Sequence, residues 1–291
     1  MGFEAKNKEG YRYSVYQNNT QSGYPVKRFF LIAVLFLCMV NAYSQITVAG
    51  KPESFSLSNK GAIVIPSKTL NAIDTVQLLQ KDNKTGVPNR YGVVQQVETD
   101  IKTEGVKTEI PGKGYIWQYK IYSLQAYSLG ITFGKYLLPE GASVFIYDEN
   151  HSQILGAFTS LNNNLINQLT IADIIGQNAV IEYFEPYNVP FPGQLVITSI
   201  TLAYKNMLKA ASTRIGVNCT QGDNWQDEKH AVCRMTFHDS QFSYFCTGFL
   251  VNNVKEDGTP FFQTANHCIS TAAEAASVVL KLSTGISRTW E

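Results

Sequence analysis

One short stretch of this 291-residue chain carries residue types that could do covalent chemistry, Thr264-Ala265-Asn266-His267-Cys268. A serine hydroxyl is a poor nucleophile at neutral pH unless an imidazole removes its proton, and that imidazole must be held in one tautomer and orientation. Ser270, Ser277, Ser283 and Ser287 follow the histidine. A serine acts as a nucleophile only on a turn that exposes it beside an oxyanion hole, and no such turn surrounds these four, which read as loop residues. By itself the His-Cys pair reads either as a general base or as a histidine beside a structural disulfide. Cys219, Cys233, Cys246 and Cys268 all fall in the C-terminal quarter of the chain. Zinc would need close pairs of the Cys-x-x-Cys kind, which do not occur, so neither a metal nor another cofactor is expected. His230 and His238 read as exposed or packing residues. His151, in the turn Asp148-Glu149-Asn150-His151, reads as part of a solvated hairpin.

The elements that must position these residues are predicted to be strands. Aromatic residues make up 12% of the chain, and Gly, Asn, Ser and Thr punctuate short apolar runs, a mixture that favours strands and tight turns. Runs at 115–122, 126–133, 143–147, 154–158, 179–184 and 194–203 are separated by Gly, Pro, Asp and Asn, spacing that predicts an antiparallel sandwich. Trp117, Tyr119, Ile121 and Leu129, Ile131, Phe133 alternate with polar or small residues, which places one face of each strand in a core. Nearer the N-terminus, strands are predicted at 62–65 and 91–97, and the stripe Leu70, Ile73, Val76, Leu79 predicts one helix. The fold class is all-β, with a jelly-roll-like β-sandwich over 45–204.

The chain carries 24 Lys+Arg against 23 Asp+Glu, a formal charge of +1. No basic surplus exists to neutralise a phosphate backbone, so nucleic acid is not an expected partner. With 44% hydrophobic and 16% charged residues, a disordered tail and a fibrous repeat are excluded. Lys27 and Arg28 precede an uncharged run over 29–40, and small residues follow at Ala42 and Ser44. These are the three parts of a secretory signal, over 27–44 within a leader of 1–44. The run is shorter than the roughly 20 apolar residues of a membrane-spanning helix, so no stable membrane anchor is expected. Cys38, after the bulky Leu37, reads as apolar filler. A signal's charged region normally opens the chain, so the polar stretch 1–24 points to a translation start nearer Val26. A secreted or periplasmic location follows, and there four cysteines read as disulfides.

The arrangement WQYKIYSLQAYSLGITFGKYLLPEGASVFIYDENHSQILGAFTS, within residues 114–204, resembles the amino-terminal β-sandwich propeptide of secreted bacterial proteases related to lysyl endopeptidase. Its features are the Trp strand, the Ala-Tyr-Ser-Leu strand, the Leu-Pro-x-Gly turn and the Ile-Tyr-Asp strand end. Similar sandwiches also bind sugars and proteins, so this half alone decides no function. Residues 205–214 read as an exposed linker. The resemblance makes Lys205, Lys209 and Arg214 processing points, because in that family a propeptide is cut after a basic residue. A plain interdomain connection is the other reading.

Residues 216–268 resemble the first β-barrel of a trypsin-like serine protease of the lysyl endopeptidase type. The resemblance rests on Ala231-Val232, Phe245-Cys246-Thr247-Gly248-Phe249-Leu250-Val251-Asn252-Asn253 and Pro260-Phe261-Phe262-Gln263-Thr264-Ala265-Asn266-His267-Cys268. It implies that His267 is a general base, that a Cys246–Cys268 disulfide pins it to the neighbouring strand, and that the substrates are proteins or peptides cut after lysine or another basic residue. Cys219 matches a family cysteine whose partner lies beyond residue 291, whereas Cys233 stands where the family carries a small residue. A Cys219–Cys233 bridge is the alternative pairing.

Residues 268–291 contain no aspartate and no Gly-Asp-Ser-Gly-Gly turn, and 215–291 falls well short of the roughly 200–250 residues of a barrel enzyme. The expectation is a leader, a propeptide-like sandwich, a linker and, over 215–291, the first part of a trypsin-like double β-barrel, inactive alone. The tail 280–291 departs from the family pattern, as a frameshift or early stop near Val279 would make it. The alternative function is a glycan- or protein-binding sandwich with a vestigial protease tail.

Overall fold

The computed structural model describes residues 3–6, 12–15, 47–57, 63–87, 89–206, 220–255, 257 and 261–282. The signal segment 27–44, Lys209, Arg214, Cys219, Ser283 and Ser287 lie outside these residues. The chain divides into two compact units, Met1–Asn41 and Ala42–Glu291. In the first, β1 (Phe3–Lys6) pairs antiparallel with β2 (Arg12–Val15).

The second unit is all-β. A six-stranded sheet runs β3 (Ser67–Thr69), β6 (Gly114–Tyr122), β11 (Asn178–Pro186), β8 (Ser143–Tyr147), β9 (Ile154–Phe158), with β5 (Val106–Ile110) also paired to β6. An eight-stranded sheet runs β10 (Leu169–Ile175), β7 (Ser128–Leu137), β12 (Gln194–Ala203), β4 (Arg90–Asp100), β14 (Phe242–Val251), β13 (Val232–His238), β16 (Val279–Leu282), with β15 (Phe261–Thr264) also on β14. This sheet curls towards closure, so that β10 and β16 at its two ends meet. Every pairing in it is antiparallel. Among the described residues, the helices α1 (Thr75–Thr85), α2 (Ile101–Glu104), α3 (Gln226–Ala231) and α4 (Ala272–Ala276) join the strands.

The main core fills the space between the sheets and includes Trp117, Tyr119, Ile121, Leu129, Ile131 and Phe133. Burial of each such side chain contributes about 1.5–3 kcal/mol. The outer face of the six-stranded sheet is covered as well. Phe145, Tyr147, Ala157 and Val180 form a second cluster there, against Phe55 and Ile65. The neighbour of Trp117, Gln118, is therefore buried too, although alternation alone would put it in solvent.

The stripe Leu70, Ile73, Val76, Leu79 is not one helical face. Asp74 accepts a hydrogen bond from the Gln77 N–H at 2.9 Å and starts α1 at Thr75, the usual consequence of an aspartate at the N-cap. Leu70 and Ile73 are buried before the helix begins, whereas Val76 and Leu79 on it are exposed. Residues 63–65, at the end of the predicted 62–65 strand, form no strand.

The side chain that α1 buries is Asp82. It accepts from Arg90 Nε at 2.6 Å and from Tyr204 Oη at 2.7 Å, and it pairs with Lys205 Nζ at 2.7 Å. The Arg90 guanidinium also lies 4.1 Å from the centre of the Phe242 ring on β14. Burial by itself would raise the Asp82 carboxyl, but hydrogen bonds from Lys205, Tyr204 and Arg90 outweigh it and hold the pKa below the ordinary carboxylate value. Its stabilising contribution is complete above the unfolded value of about 3.9 and is lost as pH falls through the lower folded value. Replacing Asp82 by Ala strands a buried guanidinium, so urea denaturation at neutral pH should show a loss of about 3–5 kcal/mol. The variant should also have lost much of the wild type's stability decline below pH 4. Unchanged urea midpoints would refute this role.

Candidate functional site

The C-terminal region is organised by β14. β13 pairs along it from Val232↔Phe249 to His238↔Ser243. Its other side is shared, with β4 against Phe242–Tyr244 and β15 against Gly248–Val251. The eight-stranded sheet thus joins strands from before residue 204 and after residue 231. Gly92 on β4 permits the close approach at this seam, since a Cβ there would lie 2.7 Å from Thr201 Cγ2. Nearby, the hydroxyls of Thr201 and Ser243 are 2.6 Å apart.

The histidine end of β15 is fixed by three contacts. Thr264 Oγ1 donates to the Thr247 carbonyl at 3.0 Å. The Cys268 N–H donates to the Ala265 carbonyl at 2.9 Å, closing a tight turn around Asn266 and His267. A disulfide joins Cys246 on β14 to Cys268, with a Cα–Cα separation of 6.2 Å. Cys268 is buried with Met235 and Phe237, and Tyr244, Phe262 and Leu280 pack against them. His267 itself is exposed. The chain here therefore anchors one neighbour of the imidazole in a core and leaves the ring facing outward.

A ring nitrogen of His267 and the sulfurs of Cys246 and Cys268 lie within 4.8 Å of one another. Metal ligation requires thiolates, and both sulfurs are consumed by the bond between them. This cluster holds a histidine beside a disulfide and offers no metal centre in that state.

The other residues singled out from sequence have definite places. Ser270 binds Glu274 through its N–H at 2.9 Å, and Thr271 and Glu274 form a capping box that starts α4. The backbone N–H of Ser270 heads the interactions that hold the Glu274 carboxyl below its ordinary pKa. Ser277 is buried, accepts from the His238 N–H at 2.9 Å and lies 2.8 Å from the Glu274 carbonyl. It closes a helix and is not exposed as a nucleophile. His230 is exposed. His238 is packed, with Nδ1 2.9 Å from the Asp239 carbonyl and Nε2 2.9 Å from Thr132 Oγ1. A carbonyl only accepts, so Nδ1 carries the proton and Nε2 accepts from the threonine. Burial lowers the pKa of this ring.

Cys233, the alternative partner of Cys219, carries a free, buried thiol, opposite Gly248 on β14 and Leu282 on β16. Burial pushes that thiol up to about 11, which leaves it protonated and unreactive at neutral pH. Lys205 is engaged in the Asp82 ion pair, and its backbone N–H donates to the Tyr91 carbonyl at 3.2 Å.

Gly248, a small residue of the motif, lets β15 lie close against β14. A Cβ at this position would run into the Phe262 ring and stand 2.7 Å from the Gln263 carbonyl oxygen on β15. Gly248→Ala should displace β15 and cost about 1–3 kcal/mol, as overpacking does, measured by urea denaturation of the oxidised protein. Wild-type stability in that variant would show that β15 does not need the close approach.

A family model described as lysyl endopeptidase, C-terminal domain, matches residues 208–287. The matched span contains β13 to β16, the Cys246–Cys268 disulfide and His267, and it includes residues 280–287 of the tail that departs from the motif pattern. No solved structure matches the chain. Among the described residues, no helix is long and apolar enough to cross a membrane. The C-terminal region is similar to the corresponding domain of lysyl endopeptidases, and the match supports a lysyl-endopeptidase-like, serine-protease-like character for it.

Proposed function

We propose that residues 208–287 are the part of a secreted serine endopeptidase domain that carries the general base, and that His267 is that base. The observation that carries this reading is the exposed His267, on a turn tied to β14 by the Cys246–Cys268 disulfide, within the matched family span. In this role the imidazole takes the proton from an attacking serine hydroxyl and returns it to the leaving amine. The disulfide and the buried Cys268 limit the positions available to the ring before substrate arrives.

The nucleophilic serine, the orienting aspartate and the oxyanion hole would come from residues C-terminal to these. None of residues 268–291 is an aspartate, and no Gly-Asp-Ser-Gly-Gly turn is among them. A protein of these 291 residues should therefore show no turnover of lysyl or arginyl peptide amides. Serine-type hydrolysis by it that His267→Ala abolishes would overturn the assignment of the missing groups. Sequencing the transcript past codon 291 in all three frames tests the reading directly. A downstream aspartate strand and Gly-Asp-Ser-Gly-Gly turn support it, and their absence from every frame removes it.

We further propose that residues 45–204 act as a propeptide and that processing falls after Lys209 or Arg214. Lys205 is the poorer site, because its ammonium would have to leave Asp82 and its backbone would have to leave Tyr91 before a protease could seat it. N-terminal sequencing of the processed C-terminal fragment should read from Ala210 or Ile215. A fragment beginning at Asn206 would refute this order of preference.

A further inference from the structure

The eight-stranded sheet joins two halves of the chain that keep separate cores. Among the described residues, the main core draws on 70–204 and the Met235–Phe237 cluster on 235–280, and neither takes a side chain from the other half. What joins them is a polar seam. β4 and β14 pair over Arg90–Val93 and Phe242–Tyr244. The Val94 N–H extends this pairing to the Gln241 carbonyl at 2.8 Å, and the Phe245 N–H to the Asn89 carbonyl at 2.9 Å. Side chains add the Arg90–Phe242 contact, the Thr201–Ser243 hydroxyl pair and Thr132 Oγ1 on His238 Nε2. Asp173 on β10 is also attracted to Arg234 on β13 and Lys281 on β16. Interfaces between bodies that come apart are polar in this way, whereas obligate ones resemble a core cut in half.

His238 is the one imidazole described at this seam, and its tautomer suits the docked state. Nδ1 donates to the Asp239 carbonyl and Nε2 accepts from Thr132 of the sandwich. A second proton on the ring would reverse the Thr132 hydrogen bond and place a full charge in a buried position. The Asp239 charge favours the imidazolium, but burial outweighs it and holds the ring below its ordinary value of 6.5. Docking is therefore complete above that value and weakens as pH falls below it, where the released half takes up a proton that the docked half resists. The other groups around the ring do not reproduce this. Tyr91 on β4 is pushed well above its ordinary value and stays neutral, and Glu274 on α4 is held below its own and stays ionised. Burial raises the Asp173 carboxyl, which works in the opposite direction by favouring docking in acid.

We propose that the sandwich and residues 220–282 are a separable pair, which stays docked through the β4–β14 seam when the chain between them is cut and which mild acid releases through His238. The partner of the sandwich's β4 edge is thus this chain's own C-terminal region. The natural cut belongs to the propeptide reading, on which the biological use of the seam rests; the docking itself does not need it.

The test uses the oxidised full-length chain with a recognition sequence for a site-specific protease inserted between Ala210 and Ala211, so that neither natural processing nor His267 enters the result. After the cut, sedimentation velocity over a dilution series should show one complex at about pH 7.5 and release towards about pH 5, with the apparent Kd rising by up to about tenfold per pH unit below about 6.5, the limit for one excluded proton. His238→Gln keeps a donor and an acceptor without a titrating ring, and should dock at neutral pH without that slope. Where this variant does not dock, the wild-type ring decides: by NMR it should titrate near about 6.5 in the released fragment and well below that in the complex. Fragments that separate at neutral pH, an apparent Kd that does not rise on acidification, a His238→Gln pair with the wild-type slope, or a ring that titrates alike in both states overturns the proposal.

Discussion

The backbone hydrogen bonding of β14 is the constraint on which the C-terminal region depends. A strand has two edges, and those of β14 serve three neighbours, because β4 and β15 divide one of them. Unpaired strand edges are costly in burial and hazardous in solution. The pairing with β4 gives the first half of β14 a partner supplied from well before residue 205. It leaves the second half to β15, whose end carries His267. The position of the imidazole thus follows from how one edge is shared.

The disulfide then sets what the shared edge can present. Cys268 is drawn into the Met235–Phe237 cluster while Cys246 holds it to β14, so the residue before it has little room to bury its own side chain. A histidine pointing outward from a fixed turn is what proton transfer to an arriving group needs. The same geometry removes the competing chemistry, since the sulfurs that could join His267 around a metal are spent on each other. One covalent bond therefore both fixes the turn that carries His267 and excludes the ligand reading, for as long as it stays oxidised.

How much of this was legible in the sequence differs by region. Strands predicted at 143–147, 154–158 and 194–203 form over those same residues, because short apolar runs bounded by turn residues leave a clear pattern. β10 left a weaker signal, since Asp173 interrupts it and the strand carries a register shift between Ile171 and Ile174. Burial raises the pKa of that carboxyl, and Ser128 Oγ donates to it at 2.7 Å, contacts that local patterning does not encode. The helix was misplaced for a related reason. Apolar spacing spans residues 70–79, but Asp74 decides where the helix can begin, and an aspartate is its buried residue. The motif around His267 was legible because its signals are local. The pairing of β14 with β4 was not, because it joins residues about 150 positions apart.

His151 shows where local reasoning gives out most plainly. Beside two acidic residues in a hairpin turn, it reads as solvated, and its exposure agrees. What the turn cannot reveal is that Phe55, nearly a hundred residues earlier, lies across its ring, or that Glu182 sits beneath the neighbouring tyrosine. Each of the three residues has an ordinary explanation in its own segment. Only the covering of the sheet's outer face by residues 53–57 and 63–65 brings them together. A sandwich whose outer face had been left to solvent would have no reason to bury Gln118 and Glu182 together. The buried polar pair on that face is therefore a consequence of the same segment that covers it, since Ser54 supplies two of the hydrogen bonds that Glu182 accepts.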